Sequence, residues 1–183
     1  MDNATDRVLL ELFRQPETRH EAFAQIVRKY QERIYWHIRK IVIAHADADD
    51  ATQNTFINAW TGLDGFRADA SLYTWLYRIA TNEALSLLQR KDKHRLETPI
   101  DSPDMHLLHH LESDSYIDGN EAQFKLQRAI LCLPEKQRLV FNMRYFDGVK
   151  YDDMSEILGT SVGALKASYH HAVKKIEQLL GLN

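Results

Sequence analysis

Gly163, Lys166, Ala167, His170 and Lys174 recur at three- and four-residue steps near the C-terminus, so one helix would present them together. Small side chains let such a helix approach base edges, and cations meet phosphates. Ser161 precedes them and can start that helix by accepting a backbone N–H bond. A second set has different chemistry. Phe66, Arg67, Asp69 and Ser71 lead into Trp75, Arg78 and Asn82, with Ser86, Gln89, Arg90, Lys91, Lys93 and Arg95 beyond. Aromatic faces hold an unpaired base, amides and hydroxyls read its edge, and cations hold the backbone. A third set is Asp49, Asp50, Gln53 and Asn54, with Ile57 among them. Carboxylates and amides there suit a basic protein surface rather than DNA, and an exposed isoleucine could anchor it.

Catalytic patterns do not accompany these sets. The sequence holds no phosphate loop, no Gly-Xaa-Ser-Xaa-Gly and no carboxylate pair in an apolar setting. Cys132 is the single cysteine, which excludes an intramolecular disulfide and leaves no second thiol for structural zinc. His106, His109 and His110 cluster in an acidic stretch and could attract a stray divalent ion. We read a non-enzyme that needs no cofactor.

The elements that must position these residues are helices. Tyr151 to Leu158 and Val162 onward flank the turn Gly159, Thr160, Ser161, the spacing of a helix-turn-helix. A left-handed Gly159 would end the first helix. Val162, Leu165, Tyr169, Val173, Ile176 and Leu180 form the apolar stripe of the second, opposite the Lys166 face. Upstream, Phe23, Ile26, Tyr30, Ile34, Ile38 and Ile41 mark one long helix. A second is expected to begin near Asp47 as its cap, with apolar Ala51, Phe56, Ala59, Trp60 and Leu63. A third runs from about Ser71 to Arg90 over Leu72, Leu76, Ile79, Ala80, Ala84 and Leu87. Phe124 to Leu133 reads as a fourth, and Pro134 opens a fifth that carries Leu139, Val140, Met143 and Phe146.

Charge divides the chain. Its net −3 over 183 residues conceals net +1 in residues 1–96, −7 in 97–124 and +3 in 125–183. The acidic stretch holds Pro99, Ser102, Pro103, Ser113, Ser115 and Gly119 and reads as a tether, with Leu107, Leu108 and Leu111 able to form a docking turn. The expected architecture is therefore all-α: a helical domain over 1–96, an acidic linker over 97–123 and a helix-turn-helix domain over 124–183. The N-terminus shows no basic-then-apolar signal pattern and no apolar run is long enough to span a membrane, so a cytoplasmic protein is expected. These surfaces alone also fit a conventional dimeric repressor or activator, or a helical adaptor that binds only protein.

Four stretches in register resemble the extracytoplasmic-function (ECF) group of sigma factors in the sigma-70 family. They are Asp47 through Phe56, Phe66 through Asn82, Leu133 through Arg138, and the helix-turn-helix. The resemblance implies region 2-like and region 4-like domains. Asp49, Asp50, Gln53, Asn54 and Ile57 would bind core RNA polymerase. Phe66, Arg67, Asp69, Ser71, Trp75, Arg78, Asn82 and Lys91 would capture the single-stranded −10 element of promoter DNA. Ser161, Gly163, Lys166, Ala167, His170 and Lys174 would read the −35 duplex. It further implies a linker that runs through the polymerase, and an anti-sigma factor as a further candidate partner. Two positions depart from the pattern: Ala167, Ser168 and Tyr169 follow Lys166 with no arginine, and Asn54 stands where an acidic residue is common.

Overall fold

In a computed structural model, residues 3–95 and 121–182 are described, with side-chain burial assigned for 5–91 and 121–182. The described residues form eight α-helices and one 3-10 turn, with no strand among them. Helix α1 spans Asn3–Phe13, α2 Arg19–Val42 and α3 His45–Gly62; the 3-10 turn is Leu63–Gly65, and α4 spans Leu72–Arg95. Helix α5 spans Glu121–Leu131, α6 Glu135–Tyr145, α7 Tyr151–Leu158 and α8 Val162–Leu180. The expected linker motifs at His106 to Leu111 lie outside the described residues.

Periodic burial explains α2. Ala22, Ile26, Tyr30, Ile34, Ile38 and Ile41 are all buried and face α3 and α4, the helices that complete this half. Each of the isoleucines contributes about 1.5–3 kcal/mol by leaving water. Helix α1 is tied to α2 through buried Asp6, which accepts from Lys29 Nζ and Tyr30 Oη, both at 2.7 Å.

The corner between α2 and α3 is a tight γ-turn centred on Ile43, with φ 65° and ψ −46°, closed by Ala44 N–H donating to the Val42 carbonyl at 2.8 Å. A β-branched residue rarely takes positive φ. Ile43 is held there because its side chain is buried with Leu131, against Leu88 and Phe124.

Several local expectations need correction. Asp47 is not the cap of α3; Ala44 holds that position, and Asp47 sits inside the first turn bonded to Lys91 Nζ at 2.6 Å. Phe146 is exposed rather than core, and Phe141 is buried in its place. Helix α5 begins at Glu121, ahead of Phe124. The third helix, expected from about Ser71, starts at Leu72, and Ser71 caps it by accepting from Thr74 N–H at 3.0 Å.

The two halves share one core. Leu139, Val140, Met143, Val149, Met154, Ile157 and Leu165 belong to the same buried cluster as the α2–α4 residues, while Ala129, Ile130, Leu133, Phe141, Ala172 and Ile176 form a smaller cluster of the C-terminal half. Helix α7 packs on α4, and α6 packs on α2.

Candidate nucleic-acid interface

Helix α8 is built to present a face. Gly159 ends α7 at φ 61° and ψ 30°, the left-handed conformation a glycine adopts without penalty. Ser161 Oγ then accepts from Ala164 N–H at 3.4 Å and starts α8. Leu165, Ala172 and Ile176 are buried beneath it. Ser161, Gly163, Lys166, Ala167, His170 and Lys174 are all exposed. A β-carbon placed on Gly163 would meet nothing within 4 Å, so the fold does not demand glycine there. Its absence of a side chain leaves room for a base-pair edge. Lys166 Nζ lies 5.8 Å from the Tyr151 ring centroid, which steadies it across the turn between the two helices.

Five members of the aromatic and basic set around Phe66 and Trp75 converge on one cleft of about 430 Å³, lined by Gly65, Phe66, Arg67, Asp69, Ala70, Trp75, Arg78 and Glu156. Phe66 is buried and forms the floor, its ring centroid 5.2 Å from that of Trp75. Trp75 is half-buried and packs over Gly62, where a β-carbon would come within 3.2 Å of the indole. Arg67, Asp69 and Arg78 are exposed. Ala68 takes φ 60°, a left-handed conformation that costs a residue with a β-carbon about 1–2 kcal/mol. Backbone strain of this kind gathers where a loop is held in a working shape. Ser71 lies at the edge of this loop as the α4 cap. Asn82 is exposed one turn beyond Arg78. Lys91 stands apart from the cleft, committed to Asp47.

Asp49, Asp50, Gln53 and Ile57 form one exposed face of α3, with Asn54 half-buried beside them. Ile57 is 54% exposed, so its side chain is available to a partner.

Sequence reasoning missed the residues that join the halves. Asp147 Oδ2 lies 2.8 Å from His37 Nδ1, and its Oδ1 accepts from Lys40 Nζ at 2.6 Å. Burial pushes the Asp147 carboxyl up, yet hydrogen bonds and charge from His37 and Lys40 outweigh it and hold it below the usual 3.8. Thr81 gives its hydroxyl proton to the Tyr77 carbonyl at 2.7 Å, so its oxygen accepts from His37 Nε2 at 2.9 Å. Asn142 Nδ2 donates to the Lys40 carbonyl at 3.2 Å. Nothing in the periodicity of either segment signals these pairs. No group of three or more metal-ligating side chains and no helix long and apolar enough to cross a membrane occurs among the described residues.

Known proteins share this arrangement. Residues 26–94 match the model of sigma-70 region 2, and residues 123–176 match that of sigma-70 region 4. The chain is 30% identical over 182 residues to the RNA polymerase sigma-H factor of Pseudomonas aeruginosa, covering 96% of this chain and 93% of that one. It is 28% identical over 191 residues to the ECF RNA polymerase sigma-E factor of Escherichia coli K12, covering 96% and 94%. Among solved structures, the fold is similar to CnrH in complex with the cytosolic domain of CnrY, with TM-score 0.70, 23% identity and coverage of 98% and 99%. It is also similar to the sigma factor RpoE of Bartonella quintana in complex with the anti-sigma factor NepR, with TM-score 0.69, 21% identity and coverage of 88% and 98%.

Proposed function

The chain belongs to the ECF group of the sigma-70 family, whose role is promoter-specific transcription initiation, and on that premise we propose a division of labour among its three surfaces. The α3 face, with Asp49, Asp50, Gln53, Asn54 and Ile57, docks on a basic surface of core RNA polymerase. The cleft takes a base flipped from the non-template strand of the −10 element. Trp75 stacks on that base, Asp69 accepts from an exocyclic amine, and Arg67 and Arg78 hold the flanking phosphates. Ser71 and Asn82 line the strand's approach, and Lys91 contributes positive charge beyond them. Capturing unpaired strand offsets the few kcal/mol of unstacking and so favours melting.

Helix α8 enters the −35 major groove with Gly163 and Ala167 toward base edges, and Lys166, His170 and Lys174 toward phosphates. Residues 1–96 and 124–183 act as the two promoter-reading domains, joined by the acidic stretch 97–123. The protein acts in the cytoplasm, where the polymerase is. An anti-sigma factor is a further partner, as NepR is for its structural neighbour.

The observation that carries this reading is the convergence of an aromatic pair with Arg67, Asp69 and Arg78 in one cleft, on the same fold as an exposed helix-turn-helix face. A conventional duplex-binding regulator has no use for that cleft. The test is co-elution of the purified chain with core RNA polymerase on a sizing column, followed by run-off transcription from the bound fraction. Co-elution with selective initiation is expected. Absence of binding to core, together with tight operator binding by the chain alone, would replace the reading with that of a conventional regulator.

A further inference from the structure

The loop that shapes the cleft is pinned at both ends. At its far end Ser71 Oγ accepts from Thr74 N–H at 3.0 Å, and Thr74 Oγ1 donates to Asp153 Oδ1 of α7 at 3.2 Å. At its near end the 3-10 turn buries Leu63, and Phe66 N–H donates to the Leu63 carbonyl at 3.2 Å. Asp64 in that turn is exposed, and Arg19 Nη2 donates to its Oδ2 at 2.6 Å. Arg19 is the first residue of α2, 45 positions away in the chain. Its guanidinium lies 4.2 Å from the centroid of the Phe13 ring on α1 and 5.1 Å from that of Trp60 on α3. One side chain therefore joins three helices to the root of the loop. The hydrogen bond from Arg19 holds the Asp64 carboxyl below the usual 3.8. An exposed ion pair adds little to global stability. Its effect here is local: the two rings fix the guanidinium, and the guanidinium fixes Asp64. The residues that follow are Phe66, which floors the cleft, and Ala68 at φ 60°. A strained residue keeps its conformation only where its surroundings over-determine it. Arg19 itself precedes residues 26–94, the stretch that matches region 2.

We propose that Arg19 is a positioning residue for strand capture: seated on Phe13 and Trp60, it grips Asp64 and so holds the loop from Phe66 to Ser71 in the shape that receives a flipped base. The proposal rests on the cleft being the −10 site. Arg19 touches no DNA in this scheme and acts through Asp64. Loss of the grip leaves the helices in place and lowers the fraction of chains whose loop is competent. Capture then falls in proportion to that fraction. The corner between α1 and α2 thereby takes a share in promoter opening. The α3 face and the α8 face do not depend on it.

The probe is a DNA duplex selected from a randomised pool for run-off transcription by the parental holoenzyme, with 2-aminopurine in the segment that melts. Its fluorescence rises as the strand unstacks. Arg19→Gln keeps a polar side chain and removes the charge. Holoenzyme carrying it should form with core as the parent does and open the duplex about tenfold less at equilibrium. Arg19→Glu sets like charges against each other and should open it less still. Adding Asp64→Arg to Arg19→Glu restores the ion pair with its charges exchanged, and opening should recover to within about threefold of the parent. A role in packing alone would not give that recovery. Parental opening by Arg19→Gln, or a double variant no better than Arg19→Glu, would overturn the proposal. Circular dichroism melts identify any unfolded variant, and if Arg19→Glu is one, Arg19→Gln decides. Failure of the underlying cleft reading looks different: holoenzyme carrying Arg78→Ala would open the duplex normally. A defective Arg78→Ala beside a normal Arg19→Gln removes the positioning role alone.

Discussion

At the scale of single residues, two positions are the most informative: one that the fold does not require and one that joins its two halves. Gly163 is the first. Glycine inside a helix is less favourable than alanine by up to about 1 kcal/mol, and space is open around it. Gly163→Ala should therefore raise the thermal midpoint slightly while weakening −35 duplex binding by several-fold in a gel shift. Undiminished duplex affinity would remove Gly163 from the reading face. Asp147 is the second. Its carboxyl is held below 3.8 by His37 and Lys40 on α2, so the lowering belongs to the docked arrangement of the halves. In an undocked chain the same carboxyl would titrate at its usual value. The stabilisation is thus fully present above about 3.8 and is lost as pH falls through the depressed value. Energy transfer between dyes on Ser86→Cys and Lys175→Cys, in a Cys132→Ser chain, should stay constant from pH 7 to about 5 and fall only in stronger acid. A transition centred near neutrality would assign the pH-sensitive contact between the halves to a group other than Asp147.

Individual elements show which parts of the fold leave a mark in sequence. The γ-turn at Ile43 holds a β-branched residue at φ 65° because burial against Leu131 and Leu88 outweighs the strain. Two substitutions separate those terms. Ile43→Ala loses the buried side chain but keeps a β-carbon at positive φ, whereas Ile43→Gly loses both. Both should destabilise, in the range of about 2–5 kcal/mol for a large-to-small core change. Glycine should nevertheless be the less damaging by about 1 kcal/mol, the reverse of its rank in helices. Denaturant melts would show it, and alanine as the milder change would mean the turn stores no strain.

Nothing in the sequence around Ile43 announces that turn, since isoleucine is a residue one expects inside an element. The helices themselves were legible, because burial of Ile26, Tyr30, Ile34 and Ile38 repeats at the helical period. The turn at Gly159 and the cap at Ser161 were legible for the same local reason. His37, Asp147, Asp153 and Glu156 were not. Each is a polar residue on a helix or turn that reads as solvated. His37 and Asp147 find each other only across 110 residues, and no short-range pattern records such a pairing. The cleft was half legible: its aromatic and basic residues are neighbours in sequence, whereas Glu156 comes from the other half of the chain.

The whole molecule carries the three surfaces on different helices, and the proposed division of labour requires that they be separable. The α3 face lies on the N-terminal half. Exposed carboxylates at Asp49 and Asp50 contribute little to stability, so reversing one charge there should leave the fold unchanged. Lys166 on α8 is likewise exposed. If the proposed division of labour holds, the two positions fail in opposite ways. Asp50→Arg places a cation against a basic polymerase surface and should abolish co-elution with core, while the free chain still shifts −35 duplex DNA as the parent does. Lys166→Ala should co-elute with core at parental affinity but lose run-off transcription, with a salt dependence of duplex binding shallower by about one counterion. Loss of core binding by Lys166→Ala would mean that α8, rather than α3, carries the polymerase contact. Retention of core binding by Asp50→Arg would shift that contact from the carboxylates to Ile57, where charge reversal at a neighbour is tolerated. The paired assay reads both surfaces in one full-length chain, so a general folding defect, which would depress both signals together, is distinguished from either specific loss.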